Sequence, residues 1–245
     1  MTFGVVPQQS ATKLAEAWTP FLKKLGEDAG IPLQFRTATD IPTFEKRLAE
    51  GEFDFAYMNP YHYTVFHRNP GYQAFAKEKD RMIQGILVVR KDSSIQSVQE
   101  LTGLTLAFPA PAAFAASVLP RAALTKEGVR FLHKFVSSHD SVYRTVAAGL
   151  YPAGGGIVRT FDGMDPEIRD QLRILWRTET YTSHAIAAHP RVPSQVLKVV
   201  FQAMSGMGRD PIGSQLLDKL SFKGFEAAVD RDWDDVRALG VILQE

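Results

Sequence analysis

The chain has 245 residues, 45% of them hydrophobic, which is material enough for one large domain or for two lobes of ordinary size. Lys and Arg number 28 against 27 Asp and Glu, and the resulting net charge of +1 supplies no general field for nucleic acid or an anionic membrane. The absence of cysteine excludes a disulfide framework, a thiolate metal site and a cysteine nucleophile, and no apolar run approaches the roughly 18 residues that cross a bilayer, so a membrane is met only through a partner.

Phe3-Gly4-Val5-Val6-Pro7 is a short apolar run closed by proline and predicts the first strand. Leu14, Trp18, Phe21, Leu22 and Leu25 then recur at helical spacing. Pro20 predicts a kink in that helix, and Gly30 with Pro32 its end. Leu33 to Arg36 reads as a second strand, Phe44 to Leu48 as a short helix and Phe53 to Met58 as a third strand. This alternation requires crossover connections and a mostly parallel sheet, whose ligands sit beyond the carboxyl ends of the strands. Two predicted loops fall there, Pro7 to Ser10 and Met58 to Tyr63.

A second cycle opens with the apolar strand Gln84 to Val89, and Ser97 with Glu100 has capping-box spacing for the next helix. Leu104 to Phe108 is a strand, followed by a loop from Pro109 to Ala113 and an Ala-rich helix that ends near Leu124. Phe131 to Val136 predicts a strand and Ser141 to Ala148 a helix, and the stretch around Gly154-Gly155-Gly156 closes the lobe. Ser183 to Ala188 reads as a return strand, and from Pro193 onward the pattern is helical, with Val196, Val199, Val200 and Ala203 on one face. Helix, glycine and short strand recur at Leu48 to Ala56 and at Val146 to Gly155, a shared plan and not a repeat of fixed period.

Several side chains in these loops can carry recognition. Tyr57 and Tyr61 flank Asn59 after the third strand, where rings can pack a ligand while the hydroxyls and the amide hydrogen-bond to it. Tyr63 and Phe66 suit packing of the following helix equally well. Gln9 and Ser10 stand where the first helix begins, and Ser10 can cap that helix or turn to a ligand. Gly155 permits close backbone approach and positive φ, as in an ordinary loop, and Arg159 can pair with an anion or simply face solvent. The glycine triplet is neither GxGxxG nor a phosphate loop, so no cofactor is expected. His62 with His67, and His184 with His189, are each five apart, a spacing that does not place them on one helical face and so argues against a metal site. Asp230 to Asp235 reads as a solvated turn before a last helix.

The order and spacing of several segments resemble the phosphate, phosphite and phosphonate solute-binding family of ABC transport systems. They are Phe3 to Ser10, Gly51 to Tyr57, Ile86 to Ser93, Leu101 to Phe108, Ser138-His139-Asp140, and Phe225-Glu226 to Val236-Arg237. The resemblance implies an α/β, two-lobed periplasmic-binding fold of type II, with two crossover strands and a central ligand cleft. Residues 1–82 with 187–245 would form the first lobe, and 83–186 the second. It also implies a periplasmic or extracellular location, with a signal segment absent from this chain, and an ABC permease or a sensor kinase as partner. His139 resembles the cleft histidine of the family, with helix capping as its other reading. One departure stands out. The helix after the second-lobe strand typically opens in the family with Ser-Thr-Ser-Gly, whose hydroxyls and N–H groups hold the oxyanion, and here the stretch is Ala113-Phe114-Ala115-Ala116. A helix start keeps some anion affinity without the hydroxyls. The expectation is therefore weak binding of free phosphate and simple phosphonates, and a ligand that presents an apolar surface to Phe114.

Solute capture by a non-enzyme is the reading these features favour. An enzyme on the same scaffold lacks an activated nucleophile, a cofactor motif or paired catalytic carboxylates. A ligand-sensing module of a signalling system shares the capture mechanism and differs only in its partner.

Overall fold

The first strand, β1 (Thr2–Val5), stops short of Pro7, which has no N–H to give to a sheet ladder. The computed structural model describes residues 1–240. After β1 come α1 (Ala11–Ala29), β2 (Gln34–Arg36), α2 (Ile41–Ala49), β3 (Phe55–Met58), α3 (Pro60–Phe66), β4 (Gln73–Glu78) and β5 (Met82–Arg90). There follow β6 (Thr105–Phe108), a π-helical turn at Phe114–Val118 continuous with α4 (Leu119–Lys126), β7 (Leu132–Phe135), α5 (His139–Ala147) and β8 (Ala153–Ile157). The chain goes on through α6 (Val158–Asp162), α7 (Pro166–Arg169), β9 (Leu172–Thr182), β10 (Ala185–Ala188), α8 (Ser194–Gly206), α9 (Pro211–Leu220), β11 (Phe225–Ala227) and α10 (Asp234–Arg237).

Side-chain caps explain where the helices begin. The Ser10 hydroxyl accepts from the Lys13 N–H at 3.4 Å, the Asp40 carboxylate from Thr43 at 2.8 Å, and the Asn59 carbonyl from His62 at 2.8 Å. Gly30 ends α1 in the left-handed conformation at φ 67°, and the helix runs on through Pro20. The segment Met58 to Tyr63, expected as a loop, turns directly into α3, because Asn59 caps and Pro60 occupies the first helical position.

The chain divides into two units, one of residues 1–82 with 182–240 and one of residues 83–181. The second passage thus falls ahead of the expected residue 187, because β10 hydrogen-bonds to β3 and β4 and carries the residues before it into the first unit. Residues 241–245 of the expected first lobe lie outside the described residues.

The first unit holds a sheet of order β11-β4-β10-β3-β1-β2. β1 is parallel to β2 and β3, while β10 is antiparallel to β3 and β4. The carboxyl ends of β1 to β4 and the amino end of β10 therefore share one edge. Trp18 of α1 anchors the core, its ring 5.8 Å from Phe3 and 4.9 Å from Tyr57. In the second unit the order is β7-β6-β8-β5-β9, with β6 parallel to β7 and β8 and β5 antiparallel to β8. Ile86 and Val88 of β5 pack on one face with Val142 and Val146, and Leu87 and Val89 on the other with Leu106 and Leu124. Burial on both faces is why β5 reads as an unbroken apolar run.

Gly154-Gly155-Gly156, which by composition also suits a loop, is the middle of the buried strand β8, in keeping with the short strand read up to Gly155, and none of the three has positive φ. Their smallness serves packing. A β-carbon at Gly154 would collide with Val142, one at Gly155 with the Ala116 carbonyl, and one at Gly156 with the Tyr143 hydroxyl.

Candidate functional site

The sequence candidates on the first unit gather at the edge where β1, β3 and β4 end. Tyr57, buried in β3, donates its hydroxyl to the Glu78 carboxylate at 2.8 Å, and its ring stacks on His184 at 4.7 Å and 11°. The other face of the network is Gln8, whose side-chain amide lies 2.8 Å from His184 Nε2. Asn59 is buried and engaged as the cap of α3, with its Nδ2 3.2 Å from His62 Nε2. Tyr61 is half-buried in the first turn of α3. Gln9 is half-buried and Ser10 exposed, the latter with its hydroxyl on the α1 cap.

Gln8, Glu78 and His184 are the residues that sequence reasoning missed here. Glu78 closes a strand, β4, whose mixed polar and apolar pattern gave no clear period, and His184 drew attention only as a metal ligand. Tyr63, by contrast, packs as its alternative reading had it: its ring lies 4.5 Å from Trp233 and its hydroxyl donates to Asp230 at 3.0 Å.

On the second unit the carboxyl ends of β6, β7 and β8 bring together the π-helical turn, His139 and Arg159. The first hydrogen bond of the turn runs from the Ser117 N–H to the Ala113 carbonyl at 2.7 Å, so the N–H groups of Phe114, Ala115 and Ala116 precede the ladder. The ring of Phe114 is buried and packs edge to face on Tyr181 at 5.9 Å. Ala115 and Ala116 press their carbonyls onto the sheet at Gly85 and Gly155. The close approach expected of Gly155 is thus to the backbone of the turn. Arg159 is half-buried on α6.

His139, the first residue of α5, is wholly buried, with Nδ1 3.0 Å from the Thr160 hydroxyl. Burial lowers its pKa to about 3, so the ring is neutral at ordinary pH. Thr160 in turn stands 2.8 Å from the hydroxyl of Tyr143, which accepts the Ile157 N–H at 3.1 Å. The imidazole is therefore oriented by hydroxyls of its own unit.

A groove of about 540 Å³ lined by Thr19, Lys23, Gly26 and Leu33 opens on the first unit between α1 and the start of β2. It lies at the amino ends of the parallel strands, away from every candidate above. No described helix is long and apolar enough to cross a membrane.

Two α/β units with mixed sheets, between which the chain passes twice, have the type II binding-protein fold. Comparison with known proteins gives the family. Residues 3–233 match the model of the phosphonate periplasmic substrate-binding proteins of ABC transporters, and the chain belongs to that family. The phosphate-import protein PhnD of Mycolicibacterium smegmatis is 21% identical over 229 residues, 80% of this chain and 68% of that protein. The structure of PhnD1 from Prochlorococcus marinus in complex with methylphosphonate superposes with a TM-score of 0.90 at 17% identity, over 98% of this chain and 96% of that one. A Xanthomonas citri protein solved with chloride gives a TM-score of 0.75 at 18% identity, over 98% of this chain and 95% of its own. The same protein solved with ATP gives the same score and identity, over 98% and 94%.

Proposed function

We propose that the chain is the extracytoplasmic solute-binding component of an ABC importer, which takes up a small organic anion, performs no chemistry on it and delivers it to a membrane permease. The observation that carries this reading is the donor-rich edge of the second unit. There the N–H groups of Phe114 to Ala116, the neutral ring of His139 and the Arg159 side chain stand at adjacent strand ends. The relatives' ligands support an anion, since methylphosphonate, chloride and ATP are all negatively charged. Gln9, Ser10, Tyr57, Asn59 and Tyr61 are proposed to hold the remainder of the molecule, and Gln8 joins them through His184.

Free phosphate and simple phosphonates are weak ligands in this reading. Each hydroxyl bond to a charged oxygen that Ala113 to Ala116 cannot make forfeits roughly 1.5–3 kcal/mol. The ligand's other end is proposed to be apolar or aromatic and to meet Phe114 and the tyrosines.

A thermal-shift panel of phosphate, methylphosphonate, carboxylates and aromatic acids tests the assignment, because a ligand of the native state raises the melting temperature. Phosphate at micromolar concentration is expected to leave the melting temperature unchanged. The double substitution Ala113→Ser with Ala115→Ser is expected to tighten methylphosphonate binding by roughly tenfold or more. A large shift with phosphate on the unaltered chain would show that backbone donors suffice. A panel in which no anion acts, with or without the serines, would end the anion reading.

A further inference from the structure

We propose that Thr160 is a positioning residue that fixes the tautomer of His139, so that the imidazole offers Nε2–H as a hydrogen-bond donor to an acceptor atom of the bound anion. His139, Tyr143 and Thr160 are each at most 2% exposed, so the protons shared between the two hydroxyls and Nδ1 are placed by internal acceptors. Thr160 Oγ1 lies 2.8 Å from the Tyr143 hydroxyl, 3.0 Å from His139 Nδ1 and 3.2 Å from the Ile157 carbonyl.

The direction of the chain follows from acid and base strength. A phenol is a stronger donor and a weaker acceptor than an aliphatic alcohol; Tyr143 Oη accepts the Ile157 N–H at 3.1 Å and has two acceptors for its own proton, Thr160 Oγ1 at 2.8 Å and the Ile157 carbonyl at 3.1 Å. Thr160 is the nearer of the two and takes the phenolic proton. The threonine proton is left with two acceptors. Imidazole nitrogen is more basic than an amide carbonyl, and Nδ1 is the nearer of the two. Thr160 accordingly donates to Nδ1, and the remaining ring proton resides on Nε2. Aligned donors of this kind polarise one another and strengthen the last member of the chain.

Such a ring complements the rest of the edge, which presents backbone N–H groups at Phe114 to Ala116 and no side-chain hydroxyl at 113–116. A neutral donor also works over the whole range of pH in which the ring stays uncharged, about pH 5 to 8 for a group held near 3. The ligand half of the inference rests on the function proposed above, and the tautomer half does not.

Nitrogen-15 NMR of the imidazole side chains separates the two halves. With His139→Gln to assign the signal, the unliganded chain at pH 7 is expected to show His139 protonated on Nε2. Thr160→Val should release that preference and Thr160→Ser should keep it. Millimolar methylphosphonate is then expected to shift the Nε2 signal. Its dissociation constant should rise roughly tenfold or more in Thr160→Val, the loss of one hydrogen bond to a charged acceptor, and stay near the wild-type value in Thr160→Ser. Protonation on Nδ1 in the unaltered chain overturns the inference without reference to any ligand, and it can be read even where Thr160→Val fails to fold. Nε2 protonation that methylphosphonate, phosphate, the carboxylates and the aromatic acids all fail to perturb keeps the tautomer and overturns the anion reading instead.

Discussion

Glu45 and His62 show how burial sets charge in the first unit. The Glu45 carboxylate of α2 lies 3.5 Å from His62 Nε2 of α3, and burial raises the acid to about 7 while it lowers the wholly buried imidazole to about 3. Both groups resist ionisation, so the pair is mainly neutral in acid and gains its charge on the carboxylate near neutrality. The two shifts act on stability from opposite sides. A carboxyl raised above its unfolded value of 4.5 contributes stability that is complete below pH 4.5 and is lost as pH rises through about 7. An imidazole lowered below its unfolded value of 6.5 contributes stability that is complete above pH 6.5 and is lost as pH falls toward about 3, and His139 behaves likewise. Glu45→Gln is therefore expected to flatten the alkaline side of a stability profile, with a gain on the order of 1 kcal/mol at pH 8. Urea unfolding at pH 5 and pH 8 measures it, and an equal effect at both values would sink the assignment. The histidine spacing was visible in the sequence, but its relevance was not. His62 matters through Glu45, which faces it across two helices whose packing no local pattern encodes.

At the level of elements, the π-helical turn sits where it does because two strands beneath it carry glycine. Gly85 of β5 receives the Ala115 carbonyl and Gly155 of β8 the Ala116 carbonyl, and a β-carbon at either site would meet backbone that cannot rotate away. Gly155→Ala is expected to destabilise the protein by about 1–3 kcal/mol, the usual cost of overpacking a close-packed interior, and to weaken anion binding by displacing the turn. A crystal structure of the variant with the turn unmoved, or unfolding within error of wild type, would contradict this. The glycine triplet was legible as a place of close approach, and as a strand only through the plan it shares with Leu48 to Ala56. A residue without a side chain contributes nothing to an alternation of apolar and polar positions, so β8 left no period to read. Of the strands that were found, β1, β3, β5, β6 and β10 are apolar runs largely buried on both faces, whereas β2 and β7 are part-exposed. β4 and β9 were missed because their buried and part-exposed positions mix Lys, Glu, Arg and Thr into the pattern. The same gap hid Glu78, and with it half of the Tyr57 network.

For the molecule as a whole, the consequential feature is how the chain returns from the second unit. The stretch Asp230 to Asp235, which the sequence suggests is a solvated turn, instead grips the return point: Asp235 accepts the Thr182 N–H at 2.7 Å, Thr182 Oγ1 donates to the Asp232 carbonyl at 2.7 Å, and Trp233 Nε1 donates to the Ser183 carbonyl at 2.8 Å. Trp233 is fully buried, and Lys77 of β4 holds Asp232 at 3.0 Å. Acidic composition suggested solvent because charge counts do not report which carboxylates cap a backbone N–H. The grip lies within the first unit, so its loss should be felt there first. Asp235→Ala leaves the Thr182 N–H without its charged acceptor, a cost of roughly 1–3 kcal/mol, and Trp233→Phe does the same to the Ser183 carbonyl. Native-state hydrogen exchange is expected to quicken at Thr182 and along β10 in either variant, while the amides of β6 and β8 in the second unit keep their wild-type protection. Uniform acceleration across both units would mean that the turn stabilises the protein only globally. Unchanged exchange at Thr182 in Asp235→Ala would mean that the carboxylate does not hold it.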